Sequence, residues 1–208
     1  MTAQIADRIH YDGVTYAIAG VCGGPLFEPQ QIGIIPISTS TACWRGYHCD
    51  YMVEDQRLSL SRLVIGIKTG DVKLGRVLIF GREPKLVPHL LRRHRDGIGI
   101  APADHEITDI HEPVKFTGGL LLGNDFLTKL YVHMGFHPAY KYRNVVELVF
   151  DEGRMTHAFD RSEQAGLIRD QIDKTALSDT DSRSTADMQE FIEKSFSLDY
   201  GFSRFFKH

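Results

Sequence analysis

Cysteine is scarce in this sequence, which has three cysteines among 208 residues and no C-x-x-C pair. Disulfide-stabilised scaffolds need dense and usually even sets of cysteine, so we expect reduced, buried thiols instead. The three cysteines also lack the spacing of a structural zinc site. His133 and His137 have the spacing of helical zinc sites, but Gly135 and Pro138 oppose a regular helix there. We therefore predict no metal and no cofactor.

Long apolar runs and a strong charge of either sign are missing too. No stretch approaches the roughly 18 apolar residues of a membrane-spanning helix, and the first ten residues lack the apolar run of a signal peptide. We therefore expect a cytoplasmic protein without a membrane segment. The formal net charge of -3 provides no general attraction to nucleic acid, so nucleic acid is not a predicted partner.

Recognisable catalytic motifs are absent as well. The sequence contains no G-x-S-x-G elbow, P-loop, dinucleotide fingerprint or EF-hand loop. Gly20–Gly24 is rich in glycine but lacks the Lys-Ser/Thr pair of a P-loop. No motif in the sequence therefore indicates a chemical reaction, and the sequence leaves open whether the protein is an enzyme.

The most informative segment that is present contains the only tryptophan, Trp44. Successive side chains of a strand point to opposite faces, and the alternation here predicts one long strand over Thr41–Val53. Trp44 and Arg45 would then face opposite sides. Two alternatives follow: Arg45 and Tyr47 belong to a recognition site, or Trp44 lies in the core and Arg45 is held in a buried ion pair.

Turn signals predict further strands on both sides of this segment. They are placed at Arg8–Tyr11, Val14–Ala19, Arg57–Ile67, Val72–Phe80, Val114–Leu122, Asn144–Phe150 and Arg154–Phe159. A change of apolar phase in the third of these predicts a β-bulge near Ser61-Arg62. Because hairpin-linked strands predominate, we predict an α+β fold with an antiparallel, meander-like sheet or partly closed β-barrel as a domain over residues 1–160.

Short helices and loops are predicted between these strands. Pro29–Ile32 reads as a helical turn, Asn124–Tyr131 as a short helix and Asp96–Pro113 as a long loop. A short basic helix is predicted to start at Pro88. Basic residues in and near this helix form a secondary basic patch, which could bind a phosphate or an acidic partner. The alternative is that they are simply the solvated face of the helix. The patch consists of Lys85, Arg92, Arg93 and Arg95.

Residues 161–208 have a different character and are predicted to form a helical appendage. Asp160 followed by Glu163 is a capping box for one helix, and Thr185–Ser197 carries the apolar stripe of a second. Residues 185–208 contain too much apolar side-chain area to remain in water. We predict that this segment packs on its own sheet or on a second subunit, which would make a homodimer.

The richest collection of chemically versatile side chains lies in residues 131–143. Histidine, tyrosine and arginine concentrated on a loop are typical of ligand sites and protein interfaces. Arginine would bind a carboxylate or phosphate, and histidine would act as an acid or base. The candidate binding residues are Arg45, Tyr47, His133, His137, Tyr140, Tyr142 and Arg143. No catalytic residue is assigned.

Three motifs resemble those of a group of small bacterial β-rich proteins of unknown activity. They are S-T-S-T-A-C-W-R-G-Y at 38–47, F-T-G-G-L-L-L-G-N-D-F at 116–126 and Y-V-H-M-G-F-H-P-A-Y-K-Y at 131–142. The resemblance covers about residues 11–160. It implies one β-rich unit of bacterial or phage type and implies no catalytic residue.

Two functions from different classes are therefore hypotheses. The first is a non-catalytic binding protein that engages a protein partner, in the manner of an immunity or antitoxin protein of a bacterial conflict system. The second is an enzyme or sensor for a phosphorylated small molecule or nucleotide, an anionic ligand held in an Arg/His/Tyr pocket. Convergence of Arg45, His133, His137, Tyr140 and Arg143 in one concave site would favour the second.

Overall fold

Ten β-strands dominate the part of the chain that the computed structural model describes, which is residues 2–73, 75–87 and 102–178. The strands are β1 (Arg8–Tyr11), β2 (Val14–Cys22), β3 (Tyr47–Glu54), β4 (Arg57–Lys68), β5 (Lys85–Leu86), β6 (Pro102–Ile107), β7 (Glu112–Pro113), β8 (Gly118–Phe126), β9 (Tyr142–Asp151) and β10 (Arg154–Asp160). The same ranges contain the helices α1 (Thr69–Lys73) and α2 (Ser162–Ser178), and 3-10 turns at Pro29–Ile32, Thr128–Leu130 and Ala139–Lys141. The predicted strand-rich class is confirmed.

The strands form one mixed sheet rather than the predicted antiparallel meander. Their order is β10-β9-β8-β2-β1-β3-β4-β6-β5, and β7 pairs with β4. β1 and β3 are parallel, with Ile9 opposite Tyr51, whereas β2 pairs with the distant β8. Turn residues determine which strands form hairpins, but such long-range pairings depend on burial of both faces and have no local signal.

The first strand in this order, β10, also pairs with β4, which stands near the other end of the order. β10 pairs with β4 through Arg154 and Arg57, which gives seven of the strands a ring-like arrangement. Apolar side chains from these strands fill the interior, because every second residue of a strand points inward. They include Ile9, Ile18, Cys49, Tyr51, Leu58, Leu60, Leu63, Ile65, Leu120, Leu122, Leu148 and Phe150.

The predicted bulge in β4 is confirmed at Ser61. Asp50 pairs with Arg62 and Tyr51 pairs with Leu60, so Ser61 is the extra residue. Its hydroxyl donates a hydrogen bond to the carbonyl of Asp50 at 2.9 Å. The inserted residue restores the inward face, because it lets leucines on either side of it point into the same core.

A ladder of charged side chains crosses the outer face of β1, β3, β4 and β6. Asp50 accepts hydrogen bonds from Arg8 at 2.7 Å and 2.9 Å and from Arg62 at 3.3 Å, and Arg62 also binds Glu106 at 2.8 Å. Burial opposes ionisation of Asp50, but the hydrogen bonds and charges of Arg8 and Arg62 outweigh it and lower the pKa of Asp50. The ladder joins the four strands on their outer face.

Four predicted elements differ from the structure. β3 begins at Tyr47 and not at Thr41, because a tight turn with Gly46 at a φ of 76° precedes it. Val72–Phe80 is not a strand, since α1 occupies its start, and β8 continues into the predicted helix as far as Phe126. The predicted loop Asp96–Pro113 contains β6 and β7, both of which pair with β4.

Helix α2 packs outside the ring against β9. It begins at Ser162, whose N–H donates to the Asp160 carboxylate at 2.9 Å, as at a helix N-cap. Ala165 is buried in a second apolar cluster with Leu121, Tyr142 and Val145. The predicted basic helix at Pro88 and the predicted helix Thr185–Ser197 with its aromatic tail lie outside the described residues.

A membrane-crossing helix is not found in the described part of the chain, since neither of its α-helices is both long and apolar enough.

Candidate functional site

The N-terminal segment Ala3–Asp7 joins the two regions that the sequence singles out. Ala3 forms a bridge with Gly135, and the N–H of Gln4 donates to the Gly135 carbonyl at 2.8 Å. On the other side, the N–H of Ile5 donates to the Ala42 carbonyl at 2.8 Å. The buried side chain of Gln4 continues this link, because its amide oxygen accepts a hydrogen bond from the N–H of Trp44 at 3.0 Å.

An ion pair between the buried Asp7 and the half-buried Arg45 lies at the end of this segment. Both terminal nitrogens of Arg45 donate to the Asp7 carboxylate, and Nε donates to the Tyr47 carbonyl at 2.7 Å. Asp7 is 6% exposed and also accepts from the N–H of Cys49 at 2.6 Å. Burial opposes the charge on Arg45, but the Asp7 carboxylate outweighs it and raises the pKa of Arg45.

Tyr47 is part of the same packed unit. The guanidinium carbon of Arg45 lies 4.7 Å from the centre of the Tyr47 ring and 5.9 Å from that of Phe136. The Tyr47 hydroxyl donates to the Phe27 carbonyl at 3.3 Å, and burial raises its pKa to about 12. Arg45 and Tyr47 are therefore engaged within the protein: Arg45 forms the ion pair of the second alternative, although its side chain is half-buried and not fully buried.

The same alternative placed Trp44 in the core, but Trp44 lies at the surface. The strand alternation does not extend to it, and 49% of its surface is exposed. Ile5 is also exposed, as are Tyr131 and Val132 in the loop whose Gly135 pairs with Ala3. We call this set, which consists of Ile5, Trp44, Tyr131 and Val132, the N-terminal surface.

Aromatic and imidazole rings in the loop before β9 form a contiguous cluster. The His137 ring lies 4.7 Å from Phe126 and 5.2 Å from Tyr131, measured between ring centres. Tyr131 also contacts His133 at 4.8 Å, and Phe126 contacts Tyr142 at 5.3 Å. The loop cluster thus unites three of the predicted site residues: His133, His137 and Tyr142.

The cluster also contains a basic residue that the sequence analysis did not select. Lys141 is buried in the 3-10 turn that leads into β9, with 7% of its surface exposed. Burial, and after it the positive charge of Lys141, lower the pKa of His137 to about 4. The Nδ1 atom of His137 is shielded from solvent and has no hydrogen-bond partner in the described ranges.

The other predicted site residues are held in different ways. Arg169 of α2 donates to the carbonyls of Tyr140 and Tyr142, each at 2.9 Å, and so fixes this part of the loop. Tyr142 is buried, which raises its pKa to about 12. Arg143 is exposed and bonded to Asp125 at 2.7 Å. These contacts do not bring Arg45 and Arg143 together.

The secondary basic patch is described only at Lys85. Lys85 lies exposed on the short strand β5, where it pairs with Glu106 of β6. Arg92, Arg93 and Arg95 lie outside the described residues.

Metal-binding geometry and known relatives give no further guidance. In the described ranges, no group of three or more His, Cys, Asp and Glu side chains is arranged to hold a metal ion. Comparisons of the chain with protein-family models, curated proteins and solved structures found no match. A functional conclusion therefore depends on the geometry of the N-terminal surface and the loop cluster.

We expect His137 to make the protein less stable as the pH falls. Its pKa is about 4 in the folded protein and about 6.5 when unfolded, so the unfolded state binds the additional proton between these values. Stability should therefore decrease as the pH falls from about 6.5 to about 4. Urea unfolding of His137→Gln across this range should show a shallower decrease than the parent protein.

The exposed His133 provides the control. His133→Gln should retain the parent's dependence of stability on pH. Burial also lowers the pKa values of His48 and His105, so these two residues should preserve part of that dependence in every variant. An unchanged dependence in His137→Gln would contradict the assignment.

Proposed function

We propose that this chain is a non-catalytic binding protein that engages another protein through the N-terminal surface. The supporting observation is that exposed apolar side chains lie on the segments that backbone hydrogen bonds of Gln4 and Ile5 join to one another. Four of the ten large hydrophobic residues that are exposed in the described ranges belong to this surface: Ile5, Trp44, Tyr131 and Val132.

Residue type supports a protein as the partner. Tryptophan and tyrosine are enriched among the residues that dominate binding energy in protein interfaces, where they supply large apolar area with few rotatable bonds. Trp44 and Tyr131 are the two aromatic members of the surface and are 49% and 45% exposed. Single exposed apolar residues are ordinary, but a group of this kind is typical of an interaction surface.

Rigidity of the supporting structure is a second argument. The N-terminal segment is bonded on one side to Gly135 and on the other to Ala42, and the Asp7–Arg45 ion pair fixes its end. A surface that is already ordered loses less conformational entropy on binding, which favours affinity. Such a preorganised surface suits an immunity or antitoxin protein that neutralises a partner.

We expect Trp44→Ala to weaken binding of the partner by about 30-fold, the factor that corresponds to a hot-spot loss of about 2 kcal/mol. A photo-crosslinking residue at position 44 would identify the partner in the source cell. Titration of the purified partner against parent and variant would then measure the loss. The melting temperature of the variant should stay close to the parent's, since Trp44 is half exposed.

Phe159→Ala is the matched control, because Phe159 is an exposed aromatic residue on β10 that stacks on His157. It should bind the partner as the parent does. Equal losses from both variants, or recovery of a tightly bound metabolite in place of a protein, would contradict the proposal.

A further inference from the structure

Strand β10 has an open edge over most of its length. One edge pairs with β9 from Arg154 to Asp160. At the other edge, the described part of the chain provides a partner only at the start of the strand, where Arg154 pairs with Arg57 of β4. The residues that follow are Thr156–Asp160, and all five are exposed. Natural proteins usually pair, cover or blunt such an edge, because its free N–H and C=O groups attract other strands.

Backbone hydrogen bonds show which groups of this edge are free. The N–H of Arg161 donates to the Val145 carbonyl of β9 at 2.8 Å. Hydrogen-bonded positions alternate along an antiparallel pair of strands, so every second residue before Arg161 also bonds to β9. The intervening residues, Ala158 and Asp160, therefore direct their N–H and C=O groups away from β9 and towards the open edge.

Two stacked rings lie beside this edge. Phe159 is 41% exposed, and its ring lies 5.7 Å from that of His157 between ring centres, with an angle of 4° between the two planes. The rings form an apolar surface on one face of β10. Aromatic pairs between neighbouring strands stabilise a sheet, so this surface favours an added strand that carries aromatic side chains on the same face.

The chain contains such a segment among the residues that follow α2. Residues 198–203, which lie outside the described ranges, read L-D-Y-G-F-S. Apolar side chains alternate there with small or polar ones, which is the pattern of a strand with one buried face. The apolar face would consist of Leu198, Tyr200 and Phe202.

We propose that Leu198–Ser203 adds to the open edge of β10 as an antiparallel strand, with its aromatic face beside Phe159. The free N–H and C=O groups of Ala158 and Asp160 would then bond to its backbone. This location specifies where the C-terminal segment would pack on its own sheet, and it is separate from the proposed protein-binding function.

The length of the intervening chain suits this location. Helix α2 has 17 residues and leads about 25 Å away from the end of β10. The predicted helix Thr185–Ser197 would cover about 20 Å of the return, and residues 179–184 would supply the turn between the two helices. Leu198 would thus arrive near Asp160, which sets the antiparallel direction of the added strand.

Hydrogen exchange followed by nuclear magnetic resonance of the full-length protein tests the proposal. The amides of Ala158 and Asp160 should exchange at least about tenfold more slowly than those of an unstructured peptide, because they are bonded to the added strand. The amides of His157 and Phe159, which bond to β9, are the internal reference for a folded sheet. Rapid exchange of Ala158 and Asp160 beside protected reference amides would overturn the proposal.

Two substitutions on opposite faces of the segment test its identity. Phe202→Asp places a charge on the apolar face and should restore rapid exchange at Ala158 and Asp160. Ser203→Asp is the matched control, since it adds the same charge to the polar face and should leave their protection unchanged. Equal effects of the two variants, including no effect of either, would overturn the proposal.

Protein concentration distinguishes the chain's own segment from a second copy of the protein. Protection of Ala158 and Asp160 should not change on dilution when the segment docks within its own chain. Protection that disappears as a dimer dissociates would assign the open edge to a strand of a second copy and would overturn docking within the chain.

Discussion

Replacing Asp7 with alanine is expected to destabilise the protein by about 3–5 kcal/mol, the usual cost of removing one partner from a buried ion pair. The substitution would leave the half-buried Arg45 guanidinium without its carboxylate and the buried N–H of Cys49 without its acceptor. Urea unfolding followed by Trp44 fluorescence would measure the loss. Because Asp7 ends the segment that carries Ile5, binding through the N-terminal surface should weaken as well.

Two comparisons separate the ion pair from a general effect of lost charge. Asp50→Asn removes an acidic charge from the outer face of β3 and should cost only about 1 kcal/mol, as partly exposed pairs do. Asp7→Leu combined with Arg45→Met replaces the pair with apolar groups and should recover most of the stability lost in Asp7→Ala. If Asp7→Ala is as stable as Asp50→Asn or more stable, the Asp7–Arg45 pair has little energetic importance.

Replacing Gly66 with alanine is expected to cost about 3 kcal/mol, at the upper end of the range for overpacking a core. Gly66 lies in β4 directly beneath the segment that leads to Trp44. Its carbonyl accepts from the N–H of Ile37 and its N–H donates to the Gly46 carbonyl, both at 2.8 Å. A methyl group there would overlap the Ile37 carbonyl oxygen and lie 2.8 Å from Cγ2 of Thr39.

The matched control is Gly166→Ala in α2. A methyl group at Gly166 would meet only Nη2 of Arg169 at 3.5 Å, an ordinary contact distance. Alanine also favours the helix over glycine by up to about 1 kcal/mol, so this variant should be as stable as the parent or more stable. Thermal unfolding of the two variants compares them directly. A Gly66→Ala protein with the parent's melting temperature would refute the close approach of these segments.

Predictions from the sequence succeeded where the signal is local. The hairpins at Asp12-Gly13 and at Asp151–Gly153 are present because these turn residues adopt the positive φ angles that such turns need. The bulge at Ser61 was visible because a one-residue insertion shifts the apolar alternation. The helical turn at Pro29–Ile32 is likewise present.

The candidate site was predictable only in part. The loop at 131–143 and the arginine after Trp44 could be selected by residue type, but the partners that decide their roles could not. Asp7 is one of 27 acidic residues, and its sequence neighbours do not mark it as the counter-ion of Arg45. Lys141 was passed over because burial, which makes it unusual, is a property of the folded chain.

The sequence by itself determined the strand-rich class, the hairpins and the concentration of aromatic and basic residues before β9. Tertiary structure alone decided that β1 runs parallel to β3, that β6 pairs with β4, and that Trp44 is exposed while Arg45 is half-buried against Asp7. The physical reason is the distance along the chain between the residues that interact. Turn conformation and side-chain alternation depend on a few adjacent residues, whereas strand partners, ion pairs and burial depend on contacts between residues distant in the chain, and many such arrangements satisfy the same local pattern.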